Sequence, residues 1–473
     1  MALTSLPTAA AAQPHAALAP DSTTAAILEA AARAGRGSTL RLLLPFGSEA
    51  NMATLLTRFS AATGVNVESR YVAVDDINTY LLLGARSDEG GFDVGLPASF
   101  GVTDLVEAGA ITPLDEYVAR HEPSGYRDGY MPQASGAWAG HFYGYQTDGD
   151  VYLGFINEQL LRTDDRHKAF EDLHGRAADR FDSWAALDEL MAFYQQPQLG
   201  RYGGCLFRTP DYAVWEFWLR IHERGLLPFT VDMRARIAEE PAIAALTALV
   251  SASAWQAPTA RTAGLFENWT QYKNNNCLIN IGWGGSQKSF RQADSKVRAH
   301  VRSFEPPAGR ATSDASRGLP YFNWGWNYTV SANSRQPELA YLFTLFATCP
   351  QMSTLAVRPL DGYFDPFRRE HYADARIQES YSPEFLRLHA QAVGHCLPDC
   401  HIGGQADYFA ALARFIALAV DGKLTPREAL RAAAKRWDAL TRDRGIRQQS
   451  QAWAEVRARY PSHYLSTDEQ GAS

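Results

Sequence analysis

Residues 409–437, FAALARFIALAVDGKLTPREALRAAAKRW, read as two amphipathic helices separated by a break at Asp421-Gly422. The second has a full start signal. Thr425 fits the N-cap, Pro426 the first helical position, and Glu428, three residues after the cap, completes a capping box. Alone the stretch predicts a helix pair. What decides the fold is the order of the segments that precede it.

STLRLLLPFGSEANMATLLTRFSAATGVNVESRYV (38–72) reads as strand, loop, helix and second strand, with Gly64 as the helix stop and Val65, Val67 and Tyr71 alternating in the strand. FDVGLPASFGVTDLVEAGAITPLDEYV (92–118) supplies a further strand and helix. YGYQTDGDVYLGFINEQLL (143–161), WTQYKNNNCLINIGWGG (269–285), WNYTVSANSRQPELAYLFTLFAT (326–348) and DGYFDPFR (361–368) follow in that order. From about residue 38 to 460 this succession resembles the extracellular solute-binding proteins of ABC importers, family 1. The helix pair at 409–437 resembles that family's closing helices, and DGYFDPFR its Gly-x-x-Pro-Arg loop in altered form.

The resemblance implies an α/β fold of two lobes, a periplasmic-binding-protein fold of type II-like topology with a ligand cleft between the lobes and hinge crossings. The expected crossings lie near 146–150, 322–327 and 357–363. Residues 38–147 and 326–358 would then form the N-terminal lobe, and 148–325 and 359–473 the C-terminal lobe. Residues 1–37 are set apart as an Ala-rich leader or signal remnant, partly flexible, with a short helix at 23–35. A length of 473 residues agrees, being too great for one ordinary core.

Composition narrows the function. A hydrophobic share of 46% and a charged share of 21% describe a globular chain. A net charge of -7 argues against a nucleic-acid partner, which needs clustered Lys and Arg. No apolar run reaches the roughly 18 residues of a membrane span. There is no Gly-x-Ser-x-Gly elbow, Walker loop or His-Glu-x-x-His, and no cofactor motif. Asp148 and Asp150 sit two apart on one extended segment, so they point in one direction and do not flank a bond as glycosidase carboxylates do.

Aromatic residues make up 12% of the chain, many of them on loops. Trp283 stands between glycines, which predicts an accessible indole face suited to stacking on a sugar ring. Trp324 and Trp326 alternate around Gly325 and share a strand face; Trp215 and Trp218 share a helix face and read as core. Ser48, Glu49 and Asn51 follow the first strand, and Ser99 ends the strand before 100. Tyr363, Asp365 and Arg368 occupy the altered Arg loop. The resemblance implies that these residues, with Asp148, Asp150 and Tyr408, face a ligand. Arg208 and Arg368 are the only arginines nominated for an anionic one.

Cys205, Cys277 and Cys349 lie in apolar patterns and read as buried thiols. HCLPDCH (395–401) brackets a Pro-Asp turn. In an oxidising compartment it predicts a disulfide between Cys396 and Cys400, with free thiols as the next reading and zinc held by His395, Cys396, Cys400 and His401 as the further alternative.

The expected function is the substrate-binding component of an ABC importer, monomeric and periplasmic, or tethered by a lipid anchor. It would take a sugar, oligosaccharide or polyol with no cofactor and pass it to permease subunits. The rival readings are a secreted carbohydrate-active enzyme and a binding protein for a phosphorylated or sulfonated ligand.

Overall fold

A computed structural model describes residues 19–86, 91–131, 136–309 and 318–461. Its strands are β1 (Thr39–Pro45), β2 (Asn66–Val72), β3 (Val94–Gly95), β4 (Ala137–Trp138), β5 (His141–Phe142), β6 (Gly144–Gln146), β7 (Val151–Asn157), β8 (Tyr202–Gly204), β9 (Cys277–Gly282), β10 (Val301–Phe304), β11 (Tyr321–Phe322) and β12 (Asn327–Val330). They form two five-stranded sheets and one small hairpin, β4-β5. The result is a two-lobe α/β protein.

The first sheet runs β2-β1-β3-β12-β6. β1 pairs in parallel with β2 and β3, whereas β12 runs antiparallel to β3 and β6. Leu42, Leu43 and Leu44 are consecutive and fully buried, as a strand covered on both faces requires. The helix Glu49–Thr63 links β1 to β2 and stops where expected. Gly64 takes φ +73° and its N–H closes on the Ser60 carbonyl.

The helix Ser22–Gly35, capped by the Asp21 carboxylate on Thr24 N–H, packs on Pro337–Thr348 and Glu49–Thr63. The part of the expected leader from 22 to 35 is therefore an integral helix; residues 1–18 lie outside the described residues.

In the second sheet β10-β7-β9-β8 are neighbours and β11 adds to β7. β7 is antiparallel to β9, β10 and β11, and buried along its whole length. Helix Pro210–Glu223 lies beneath Gln405–Val420, which in turn packs on Pro426–Arg444. The capping box read from the sequence is present: Thr425 Oγ1 accepts from Glu428 N–H at 3.2 Å, and Thr425 N–H donates to Glu428 Oε2 at 2.9 Å. Trp215 and Trp218 pack in this core.

Between the sheets the chain crosses at 147–150, joining β6 to β7, and at 323–326, joining β11 to β12. A third passage, 358–368, leaves the helix Pro350–Val357, packed on Glu49–Thr63, and leads towards Ala375–Tyr381, packed on Gly284–Arg291. The crossings bond to one another. Asp365 N–H donates to Asp148 Oδ1 at 2.5 Å, and Thr147 N–H to the Trp326 carbonyl at 2.9 Å.

Such close approach needs a residue without a side chain at 149, where a Cβ would stand 1.9 Å from the Pro366 carbonyl oxygen. That atom is backbone and cannot rotate away. Gly149→Ala is expected to cost at least about 2 kcal/mol of stability, at the upper end of ordinary overpacking. Chemical denaturation checks this, and an unchanged midpoint would mean the crossings have slack.

Candidate functional site

The three crossings, together with the start of the helix Gly284–Arg291, enclose one aromatic cavity. Trp283, Trp324, Trp326, Tyr212, Trp269 and Tyr363 make most of its wall, and Asp150 is the carboxylate on it. The rings are packed on each other. Tyr212 stacks on Trp324 with centroids 5.3 Å apart and planes 7° from parallel, and Trp283 meets Trp324 edge-on at 5.7 Å. Trp324 holds its place with φ +74°, a left-handed backbone that a bulky residue adopts only under constraint. The free space is small, about 330 Å³ with the open side counted.

Behind Asp150 lie Asp148 and Asp365, both fully buried. One oxygen from each of the three carboxylates lies within 4.8 Å of the other two. Burial pushes the Asp148 carboxyl well above its usual range, and the charge of Asp365 adds to the effect. Asp150 is raised likewise, first by burial and then by Asp148 and Asp365. The Tyr381 hydroxyl donates to Asp365 Oδ1 at 2.6 Å. The nearby Lys288 ammonium donates instead to the carbonyls of Val357 at 2.7 Å and Phe364 at 3.0 Å; burial lowers its pKa to about 8, although Asp365 and Asp148 oppose the shift.

No protein-family model matches the chain, and no curated protein matches its sequence. Solved structures do match. An ABC transporter solute-binding protein from Agrobacterium vitis S4 with bound D-mannitol aligns with TM-score 0.72 at 16% identity, over 86% of this chain and 99% of its own. One from Agrobacterium radiobacter K84 in complex with ribitol aligns with TM-score 0.72 at 15% identity, over 86% and 99%. Maltose-bound MalE3 of T. maritima aligns with TM-score 0.70 at 15% identity, over 85% and 100%. The chain has the fold of ABC-importer solute-binding proteins.

Within this solute-binding fold the expected residues divide. Asp150, Trp283, Trp324, Trp326 and Tyr363 line the cavity, and Asp148 and Asp365 stand behind it. Trp283 is not the open platform its flanking glycines predict. It is 4% exposed, packs on Tyr152 at 4.8 Å, and its indole N–H donates to Asn323 Oδ1 at 3.0 Å. Its glycines serve close packing: a Cβ on Gly284 would meet Asp365, and one on Gly285 would meet Tyr363.

Other nominated residues have different work. Asn51 donates to the Ala356 carbonyl and accepts from Tyr363 N–H, so it fixes the third crossing and does not face the cavity. Ser48 donates to the Pro45 carbonyl, and Glu49 is half-buried at the start of its helix. Arg368 is buried over the Tyr130 ring with its guanidinium on the Tyr126 carbonyl, and it does not line the cavity. Arg208 is taken up by Glu216 and Ser253.

Tyr408 packs between Phe229 and Trp437 and bonds Thr441, one face of the closing helix pair. The disulfide is absent: Cys396 and Cys400 are free thiols. The intervening Asp399 is held by Ser99, Tyr321 and Gln405, Cys396 Sγ turns to the Val393 carbonyl, and the flanking His395 pairs with Glu305, so a zinc set does not converge either.

Tyr212, Trp269 and Lys288 were not picked out from the sequence. Tyr212 and Trp269 lie on helices whose burial is nearly all-round or amphipathic, so periodicity alone assigns them to core. Lys288 carries a weak signal, a lone cation in the small-residue stretch Gly-Gly-Ser-Gln-Lys-Ser.

Ser99 lies outside the aromatic cavity, in a contact between the lobes. Its hydroxyl donates to Asp399, Thr103 donates to the Ile402 carbonyl, Ala406 N–H donates to Asp104, and Arg444 joins Glu107 to Asp407. Burial raises the Asp104 carboxyl to about 6, against the pull of the Ala406 N–H and Arg444. A raised carboxyl binds its proton more tightly in the folded chain, so the stabilisation is complete below the unfolded value and is lost as pH rises through about 6. Asp104→Asn keeps the acceptor for Ala406 and removes the charge. It is expected to stabilise the protein by about 1–3 kcal/mol at about pH 8, with the gain vanishing near about pH 4. Thermal unfolding of both chains across that range is the check.

Proposed function

We propose that the chain is the substrate-binding component of an ABC importer and that it captures a sugar or polyol in the aromatic cavity between its lobes. The observation that carries the reading is one wall of indole and phenol rings with a carboxylate set into it. Ring faces stack on the C–H faces of a sugar, and Asp150 accepts from hydroxyls, the pairing that neutral polyhydroxylated solutes need. The bound D-mannitol, ribitol and maltose of the structural neighbours support the class. An anionic ligand is disfavoured because Arg208 and Arg368 are both engaged elsewhere.

In this reading residues 38–147 and 326–358 act as one lobe and 148–325 and 359–473 as the other. A ligand touching both gains contacts only in the closed state and shifts the equilibrium towards it, and closure is what permease subunits recognise. The chain works outside the inner membrane as a monomer and transforms nothing. Asp150, Trp283, Trp324, Trp326 and Tyr363 are the proposed ligand contacts.

A panel of hexitols, pentitols and maltooligosaccharides, screened by thermal shift and then calorimetry, tests the reading. A ligand at about 100 times its dissociation constant adds roughly 2.7 kcal/mol. Product formation from any of them would replace binding by catalysis. With the ligand in hand, Trp283→Ala is expected to weaken binding by about 2 kcal/mol or more, near thirtyfold. It should also lower the melting temperature, because the ring is packed as well as presented, so binding is measured well below that temperature. Unchanged affinity would remove Trp283 from the site.

A further inference from the structure

Three carboxylates, Asp148, Asp150 and Asp365, are 95% or more buried and converge from two different crossings. Water neutralises such a cluster poorly, so burial of like charges at this spacing calls for protons or for a cation. The hydrogen bonding of the cluster is incomplete. Asp148 Oδ2 and Asp365 Oδ2 have no N–H or O–H donor from outside the cluster, although their partner oxygens take the Asp365 N–H and the Tyr381 hydroxyl. Lys288, the adjacent cation, spends its hydrogen bonds on two backbone carbonyls.

We infer that Asp148, Asp150 and Asp365 form a binding site for one divalent, oxygen-preferring metal ion of the calcium class, seated behind the aromatic cavity where the first and third crossings meet. The donor set is all carboxylate, which suits Ca²⁺, Mg²⁺ or Mn²⁺ and not the softer metals. Oxygens on opposite sides of one Ca²⁺ stand about 4.6–5.2 Å apart, and the three ligand atoms fall within 4.8 Å of each other. A substituted ammonium is the other cation that aromatic walls and carboxylates attract. Here Asp148 and Asp365 are fully buried and, of the three carboxylates, only Asp150 lines the cavity, which keeps the two unpartnered oxygens away from a ligand seated against the rings. Asp150 reaches the cavity and gives the ion its way in. The ion would tie 147–150 to 358–368. This assignment stands whether or not the solute is a sugar.

The test uses the full chain stripped with EDTA and then titrated with CaCl₂, MgCl₂ or MnCl₂ against NaCl of equal ionic strength. A saturable rise in melting temperature and one site per chain by calorimetry are expected for at least one of the metals. Asp365→Asn and Asp150→Asn should each weaken metal binding about tenfold or more. The same substitutions should raise the melting temperature of the metal-free protein, because each removes a repelling charge; loss of a merely structural carboxylate would lower it. Should Asp365→Asn fail to fold, Asp150→Asn at the cavity edge carries the test, and circular dichroism confirms its fold. The assignment is overturned if no divalent metal shifts the melting temperature, if both variants respond as the parent does, or if choline or spermidine stabilises the chain where no metal does.

Discussion

Everything in the middle of this molecule depends on how tightly its crossings pack against one another. Three passages of chain share one narrow space between the sheets, and two glycines make this sterically possible. A Cβ on Gly149 would strike the Pro366 carbonyl, and one on Gly325 would lie 2.6 Å from the Phe322 ring. With those positions bare, the backbone of one crossing serves as hydrogen-bond partner to the next. The cost is that carboxylates at 148, 150 and 365, each polar for a reason of its own, are forced into a common interior. Electrostatic tension and the aromatic cavity therefore arise at the same place and from the same packing constraint.

Local signals were readable from the sequence and long-range ones were not. The capping box of Thr425 and Glu428 and the left-handed stop at Gly64 each depend on residues within one helical turn, and both are present. The order of strand and helix segments implied a two-lobe α/β fold, which the paired sheets bear out. Asp148 and Asp150 could be read as polar groups in a crossing, but nothing near them in sequence says that Asp365 will join them. Arg368 and Tyr408 show the reverse error. Both stand where a motif places ligand contacts, yet what a side chain touches depends on the path of the loop, and the longer loop here buries Arg368 among Tyr126 and Tyr130.

The glycines around Trp283 make the same point. An Ile-Gly-Trp-Gly-Gly stretch suggests exposure, because flanking side chains are missing. In the fold those gaps are filled from elsewhere, by the Asp365 carboxylate and by Tyr363. Missing side chains in a sequence tell where something can approach closely, and only the tertiary structure tells what does.

The distribution of indoles has a practical consequence. Trp184, Trp218, Trp437 and Trp453 are sealed in the lobe cores, whereas Trp269, Trp283, Trp324 and Trp326 line the aromatic cavity where the crossings meet. Indole emission follows the polarity and rigidity around the ring. The first group supplies a constant background and the second a built-in optical gauge of the cavity wall, so any change in the surroundings of that wall can be followed by the protein's own fluorescence without any attached dye.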